Sequence, residues 1–257
     1  MFLFLKSIDG ETNLISMRKP DYLGIGVMKA ATTWAWHQLR EHPNIKMPYQ
    51  KEIHYFDKLE ITPEQYLSKF GRIPMIYRTG EITPAYLNVP HAPALVKSYC
   101  PKVKIFVILR NPIDRAYSHW KVGVWAEHKI PPGTSFSEAF NHGHPWPGPF
   151  WNSLKEKGNY IRYLKRWYEY FPKEQIKIFW YDDLIKDSLK TIRELYGWVG
   201  VDPSFTPPKY NKKYNENNSG YNPIMKTEDR EMALDFYLPT IEKLEKFTGR
   251  DLTAWKH

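Results

Sequence analysis

Thirteen residues, Tyr22 to Trp34 (YLGIGVMKAATTW), hold the densest chemistry in the chain: an apolar run leads into a short Gly- and Lys-containing loop, and a Thr pair then opens a helical segment. Backbone N–H groups at a helix start point at an anion, and the helix dipole adds partial positive charge there. Lys29 adds an ammonium, so the segment reads as a phosphate cradle. It is not a Walker A loop, which needs Gly directly before the Lys. Met28 precedes Lys29 here, and Ala30 and Ala31 follow it. ATP hydrolysis is therefore disfavoured.

A second segment narrows the nucleotide. Lys104 to Leu109 (KIFVIL) predicts a buried parallel strand, and it ends in Arg110-Asn111-Pro112 rather than in the Asp with which a P-loop ATPase holds Mg²⁺. Ser118 lies eight residues after Arg110, about two helical turns into the segment that follows Pro112, so both side chains can reach one phosphate. Two phosphate sites without a metal carboxylate suggest a nucleotide phosphorylated at both ends, with no metal required. A nucleotide kinase shares the strand–loop–Lys–helix element but needs Mg²⁺ and an acidic ligand. A non-catalytic nucleotide-binding protein shares the cradle and needs no base.

With these motifs the chain resembles the PAPS-dependent sulfotransferases, in the branch that includes heparan sulfate sulfotransferases and related bacterial enzymes. GVMKAATTW resembles the family's 5′-phosphosulfate loop, and ILRNPIDRAYSHW its 3′-phosphate motif. KEIHYFD (Lys51 to Asp57) resembles the catalytic-Glu segment, and GEITPAYL (Gly80 to Leu87) the loop that follows it. GNYIRYLKRWYEYFP and EKLEKFTGRDLTAW continue the match in family order.

The resemblance implies an α/β fold: a single domain over residues 1–257, with a mainly parallel central sheet flanked by helices, in the P-loop-like PAPS-binding sulfotransferase fold. It implies transfer of a sulfuryl group from PAPS (3′-phosphoadenosine 5′-phosphosulfate) to an acceptor hydroxyl, releasing adenosine 3′,5′-bisphosphate (PAP). Such transfer needs a base, charge stabilisation on the leaving oxygen, and in-line positioning. The implied catalytic residues are Glu52 as base, Lys29 as electrophile, and His54 as orienter or alternative base. On an extended segment, residues 52 and 54 point to the same side. Asp57 either supports that site or caps a turn. Cofactor contacts fall on Lys29, Ala30, Ala31, Thr32, Thr33, Trp34, Arg110 and Ser118, with Lys212 or Lys213 reaching the 3′-phosphate from a late loop. Arg115 is read as structural. Relatives acting on heparan sulfate often carry Lys after the Glu of the GEITPAYL-like loop, where this chain has Ile82. That favours a small phenolic or aliphatic alcohol, with a glycan hydroxyl as the alternative.

The elements that must position these groups alternate along the chain. Helices are predicted over residues 32–42, 63–70, 91–99 and 184–199, after Pro112, and near the C-terminus with Leu234, Leu238, Ile241, Leu244 and Phe247 inward and Gly249 as stop. Tyr160, Leu164, Trp167 and Phe171 form another helical face, ended by Pro172. Further strands are predicted over residues 75–82 and 176–180. Residues 129–151, centred on HGHPWPGPFW, read as a loop beside the acceptor, and residues 202–221 as a loop without regular structure.

Composition sets the remaining bounds. The 257 residues suit one large α/β domain that buries about three quarters of its unfolded surface. The formal charge of +9 comes from dispersed Lys and Arg with no recognised nucleic-acid motif, so a nucleic-acid partner is not expected. A single cysteine, Cys100, excludes an internal disulfide and suggests a reducing compartment. MFLFLKSIDG is too short in its apolar run for a signal-peptide core, and no run approaches a membrane span. The expectation is a cytoplasmic enzyme without membrane attachment.

Overall fold

Buried apolar runs form the strands and amphipathic runs the helices that cover them. The computed structural model describes residues 4–8, 11–141, 153–212, 214 and 223–257. It begins with β1 (Phe4–Ile8) and β2 (Glu11–Met17), an antiparallel pair. Next come β3 (Tyr22–Gly24), α1 (Thr32–Glu41), the one-turn α2 (Tyr55–Lys58), α3 (Pro63–Phe70), β4 (Arg72–Pro74) and β5 (Gly80–Ile82). The middle of the chain holds α4 (Ala92–Tyr99), β6 (Lys104–Leu109), α5 (Pro112–Trp125) and α6 (Phe136–Asn141). The last third supplies α7 (Tyr160–Tyr170), β7 (Ile176–Trp180), α8 (Tyr181–Lys186), α9 (Ser188–Val199) and α10 (Thr227–Thr248).

The central sheet is parallel throughout, in the order β5-β3-β6-β7, and helices flank it. Tyr22 pairs with Gly80 on one side and Lys104 on the other, which sets the register of the three strands that feed the candidate site. Glycine is required at position 80, since a Cβ there would lie 2.4 Å from the Tyr22 carbonyl oxygen. Ladder bonding continues past β3: the N–H groups of Ile25 and Val27 donate to the Phe106 and Ile108 carbonyls, each at 3.0 Å. The cradle loop is thereby anchored to β6 up to the residue before Met28.

Several expectations shift. The N-terminal segment adds a small second sheet in the order β1-β2-β4, antiparallel at both pairings. The strand expected over residues 75–82 divides: Tyr77 N–H donates to the Pro74 carbonyl in a turn, and only Gly80–Ile82 joins the parallel sheet. The helix expected over residues 184–199 is two, since the Asp187 side chain accepts from Lys190 N–H and starts α9 anew. Within residues 129–151, expected as loop, Phe136–Asn141 is helical; HGHPWPGPFW lies outside the described residues. In α10 the fully buried stripe is Ala233, Tyr237, Ile241 and Leu244, with Leu234 and Leu238 at its margin.

A tight contact joins α10 to the turn before α7. A Cβ on Gly158 would lie 2.6 Å from the Tyr237 ring, whose hydroxyl donates to the Lys155 carbonyl at 2.7 Å. Gly158→Ala is therefore expected to destabilise the protein by about 1–3 kcal/mol through overpacking, read as a lower urea midpoint with unchanged slope.

Candidate active site

The cradle loop ends in an unusual helix start. Lys29 (φ 69°) and Ala31 (φ 62°) both adopt left-handed backbone, and Ala31 occupies the cap position of α1 without a side-chain acceptor. Thr32 and Thr33 thus stand in the first turn rather than at the cap, and Ala31 offers that turn no side-chain cap. Burial lowers the Lys29 ammonium from its usual value, with Glu127 and Glu52 opposing that effect and Lys51 and Lys129 adding to it. Those four charges place KEIHYFD and the end of α5 around the same ammonium.

Arg110 leaves β6 beside this loop. Its Nη1 donates to the Lys29 carbonyl at 2.9 Å, its guanidinium lies 4.5 Å from the Tyr181 ring centroid, and its buried Nε has no hydrogen-bond partner among the described residues. Tyr160 Oη donates to the Arg110 carbonyl at 2.8 Å and fixes the strand end. Asn111 Oδ1 accepts from Ile113 N–H and starts α5, which carries Ser118 half-buried. Arg115, read as structural, is fully buried: its Nη2 donates to the Leu154 carbonyl and its Nη1 lies 3.4 Å from His119 Nδ1.

KEIHYFD is not extended. Glu52 (φ 61°) and His54 (φ 60°) are both left-handed, so the expected alternation is replaced by a folded turn entering α2. Their side chains nevertheless meet: His54 Nε2 lies 3.7 Å from Glu52 Oε2, while Lys51 Nζ contacts Glu52 Oε1. His54 Nδ1 bonds Asp57 Oδ2 at 2.7 Å. That bond raises the imidazole above its usual value, burial opposes the rise, and Glu52 adds to it. Asp57 thus supports the His54 ring.

The late loop packs on α1. Trp34 Nε1 donates to the Tyr210 carbonyl at 2.7 Å, and Gln38 Nε2 to the Lys209 carbonyl at 3.1 Å. The indole N–H of Trp34 is thus occupied as a tether. Lys212 lies over the Tyr214 ring, which stacks on His37; Lys213 is outside the described residues.

Sequence reasoning missed a second group of charges behind the cradle. Lys157 is 4% exposed, and burial together with Arg115 pushes its ammonium down to about 7. His119 is buried and held well below its usual value, first by burial and then by Lys157 and Arg115. Glu127, paired with Lys129 at 2.7 Å, opposes the lowering of Lys157. Lys157 directly precedes the Gly158 contact, one residue before the segment read for its family match and its apolar stripe. Among the described residues no group of three or more His, Cys, Asp or Glu could hold a metal ion, and no helix is long and apolar enough to cross a membrane.

The chain is similar to known proteins in family, in sequence and in structure. Residues 19–220 match the family described as sulfotransferase domain. The chain is 29% identical over 186 residues to the human heparan sulfate glucosamine 3-O-sulfotransferase 6, covering 72% of this chain and 53% of that protein. It is 28% identical over 207 residues to the mouse bifunctional heparan sulfate N-deacetylase/N-sulfotransferase 4, covering 72% of this chain and 23% of that protein. The chain therefore spans about half the length of the first of these relatives and less of the second. Among solved structures, a sulfotransferase from Alicyclobacillus acidocaldarius superposes with a TM-score of 0.79 at 25% identity, over 93% of this chain and all of that one. Mouse sulfotransferase SULT7A1, complexed with PAP, shares the fold with a TM-score of 0.57 at 17% identity, over 90% of this chain and 89% of that one.

The His54–Asp57 bond gives a signed pH dependence. Because the folded-state value is raised above the usual 6.5, its contribution to stability is fully present below about 6.5 and is lost as pH rises through the raised value. The difference in melting temperature between wild type and Asp57→Asn is therefore expected to be larger at about pH 5.5 than at about pH 8.5. A difference independent of pH would contradict the pairing.

Proposed function

The chain belongs to the sulfotransferase domain family, and from that premise we propose that it transfers a sulfuryl group from PAPS to an acceptor hydroxyl and releases PAP, residues 1–257 acting as one sulfotransferase domain. The observation that carries this reading is the meeting, at one sheet edge, of the uncapped start of α1, the Lys29 ammonium and the unpartnered Nε of Arg110. A buried guanidinium donor without a partner fits an oxyanion, and a helix start without a capping side chain fits another.

When bound, PAPS supplies the activated sulfuryl group. The first turn of α1, from Ala30 and Ala31 through Thr32, Thr33 and Trp34, holds the 5′-phosphosulfate end by backbone N–H and hydroxyl donors. Arg110 and Ser118 hold the 3′-phosphate, and Lys212 and Lys213 complete that side. Glu52 removes the proton from the acceptor hydroxyl as the oxygen–sulfur bond forms. Lys29 stabilises the electron pair left on the departing phosphate oxygen. His54, fixed by Asp57, orients the Glu52 carboxylate from its Oε2 side.

For the acceptor we favour a small phenolic or aliphatic alcohol, because Ile82 is a buried aliphatic residue at the end of β5 where a cation would suit a polyanionic chain. The names of the heparan sulfate relatives favour a second reading, a glycan hydroxyl, which the net charge of +9 also suits. The one cysteine, Cys100, is free and buried, and supports a reducing, cytoplasmic setting.

The deciding experiment is an acceptor screen with PAPS, comparing phenols, aliphatic alcohols and desulfated glycans and following PAP by mass spectrometry. On the best acceptor, Glu52→Gln is expected to keep PAP affinity and lower turnover by roughly 10²–10⁴. Near-wild-type turnover on an aliphatic alcohol would remove Glu52 as base. Arg110→Ala is expected to weaken PAP by about 1.5–3 kcal/mol while leaving adenosine 5′-phosphosulfate, which lacks the 3′-phosphate, little changed in calorimetric titration. Equal losses for both nucleotides would place Arg110 elsewhere.

A further inference from the structure

Glu81, the middle residue of β5, is a carboxylate at 1% exposure with no basic partner on its oxygens among the described residues; hydroxyls and an amide surround it instead. Thr83 Oγ1 donates to its Oε2 at 2.6 Å, and Tyr86 Oη and Tyr66 Oη donate to its Oε1 at 2.7 and 3.3 Å. The backbone N–H of Ile53 also interacts with the carboxylate and favours its charged form. Hydroxyl and amide donors of this kind suit the acceptor capacity of an ionised carboxylate. Burial raises Glu81 from its usual value, while these donors pull it back.

The pattern of bonds is informative because of where it leads. Tyr86 Oη, while donating to Glu81, accepts from Tyr55 N–H at 3.1 Å. The two amides held by this network, Ile53 and Tyr55, each directly follow a left-handed residue, Glu52 at φ 61° and His54 at φ 60°. Non-glycine residues hold that backbone only where surrounding structure over-determines it. Fixing the N–H of the next residue fixes the peptide plane that a left-handed residue must present.

We propose that Glu81 is a positioning residue for sulfuryl transfer: its carboxylate pins the 52–53 peptide plane directly and the 54–55 plane through Tyr86, and so aims the Glu52 and His54 side chains at the acceptor. This rests on the reading of Glu52 as base. Tyr66 shares the carboxylate, but its hydroxyl bond leads no further toward Glu52 or His54, so it serves as the control.

The test compares Glu81→Gln, Tyr86→Phe and Tyr66→Phe in the full chain, measuring kcat and KM with PAPS, PAP affinity by calorimetry, and amide exchange at Ile53 and Tyr55 by NMR. Tyr86→Phe and Glu81→Gln are expected to lower kcat about tenfold or more with PAP affinity within about twofold, and to speed exchange at Tyr55 in the first and at both amides in the second. Tyr66→Phe is expected to leave kcat within about twofold of wild type. Slow exchange retained at both amides in both variants, or an equal loss of kcat in Tyr66→Phe, overturns the proposal. The exchange readout does not depend on the identity of the base. Near-wild-type turnover of Glu52→Gln with fast Tyr55 exchange in Tyr86→Phe would overturn the base assignment and support the pinning.

Discussion

Parallel pairing of β3 with both β5 and β6 is the constraint on which the rest of the molecule depends. Strands running the same way end at the same edge, and the segments leaving that edge carry ligands in open α/β sheets. Here the three exits are the loop holding Lys29, the turn at Thr83 and the Arg110-Asn111-Pro112 turn. The close approach at Gly80 keeps β5 against β3, and the bonds from Ile25 and Val27 carry the pairing into the cradle. A slip of one residue would turn the buried Glu81 away from its hydroxyl partners.

The electrostatics of the edge follow from burial as much as from composition. Lys29, Lys157 and Arg115 crowd one region around His119, and Glu127 and Glu52 oppose the lowering of Lys29. A dispersed surplus in the sequence becomes concentrated when the chain folds, because positions far apart along it converge behind one helix start. Like charges packed this way raise the potential at a site for a doubly phosphorylated anion.

The parts legible in the sequence were those with short-range signatures. KIFVIL is a strand from its first residue to its last and buried from Ile105 on, α3 begins at Pro63 behind the Thr62–Gln65 capping box, and α7 presents the stripe that its spacing predicts. Family membership was legible because its motifs are local. What escaped was set by distant partners. The break at Asp187 looks like a continuous apolar period, and the Tyr55 amide within KEIHYFD is held by the Tyr86 hydroxyl, about thirty residues away. The small sheet of β1, β2 and β4 needed a pairing across more than fifty residues that no local pattern announces. Lys157 carried no motif at all, since its environment comes from α5 and the 127–129 segment.

Cys100 has a practical side. Its thiol is buried at the end of α4, and burial pushes it up to about 12, so very little thiolate exists at neutral pH and alkylating reagents find no nucleophile there. Since the chain has no other cysteine, one introduced at an exposed position, such as Asn211 beside the tethered late loop, would be the single reactive handle. A fluorophore attached at that position would report on the packing of residues 202–212 against α1 without first stripping native thiols from the protein.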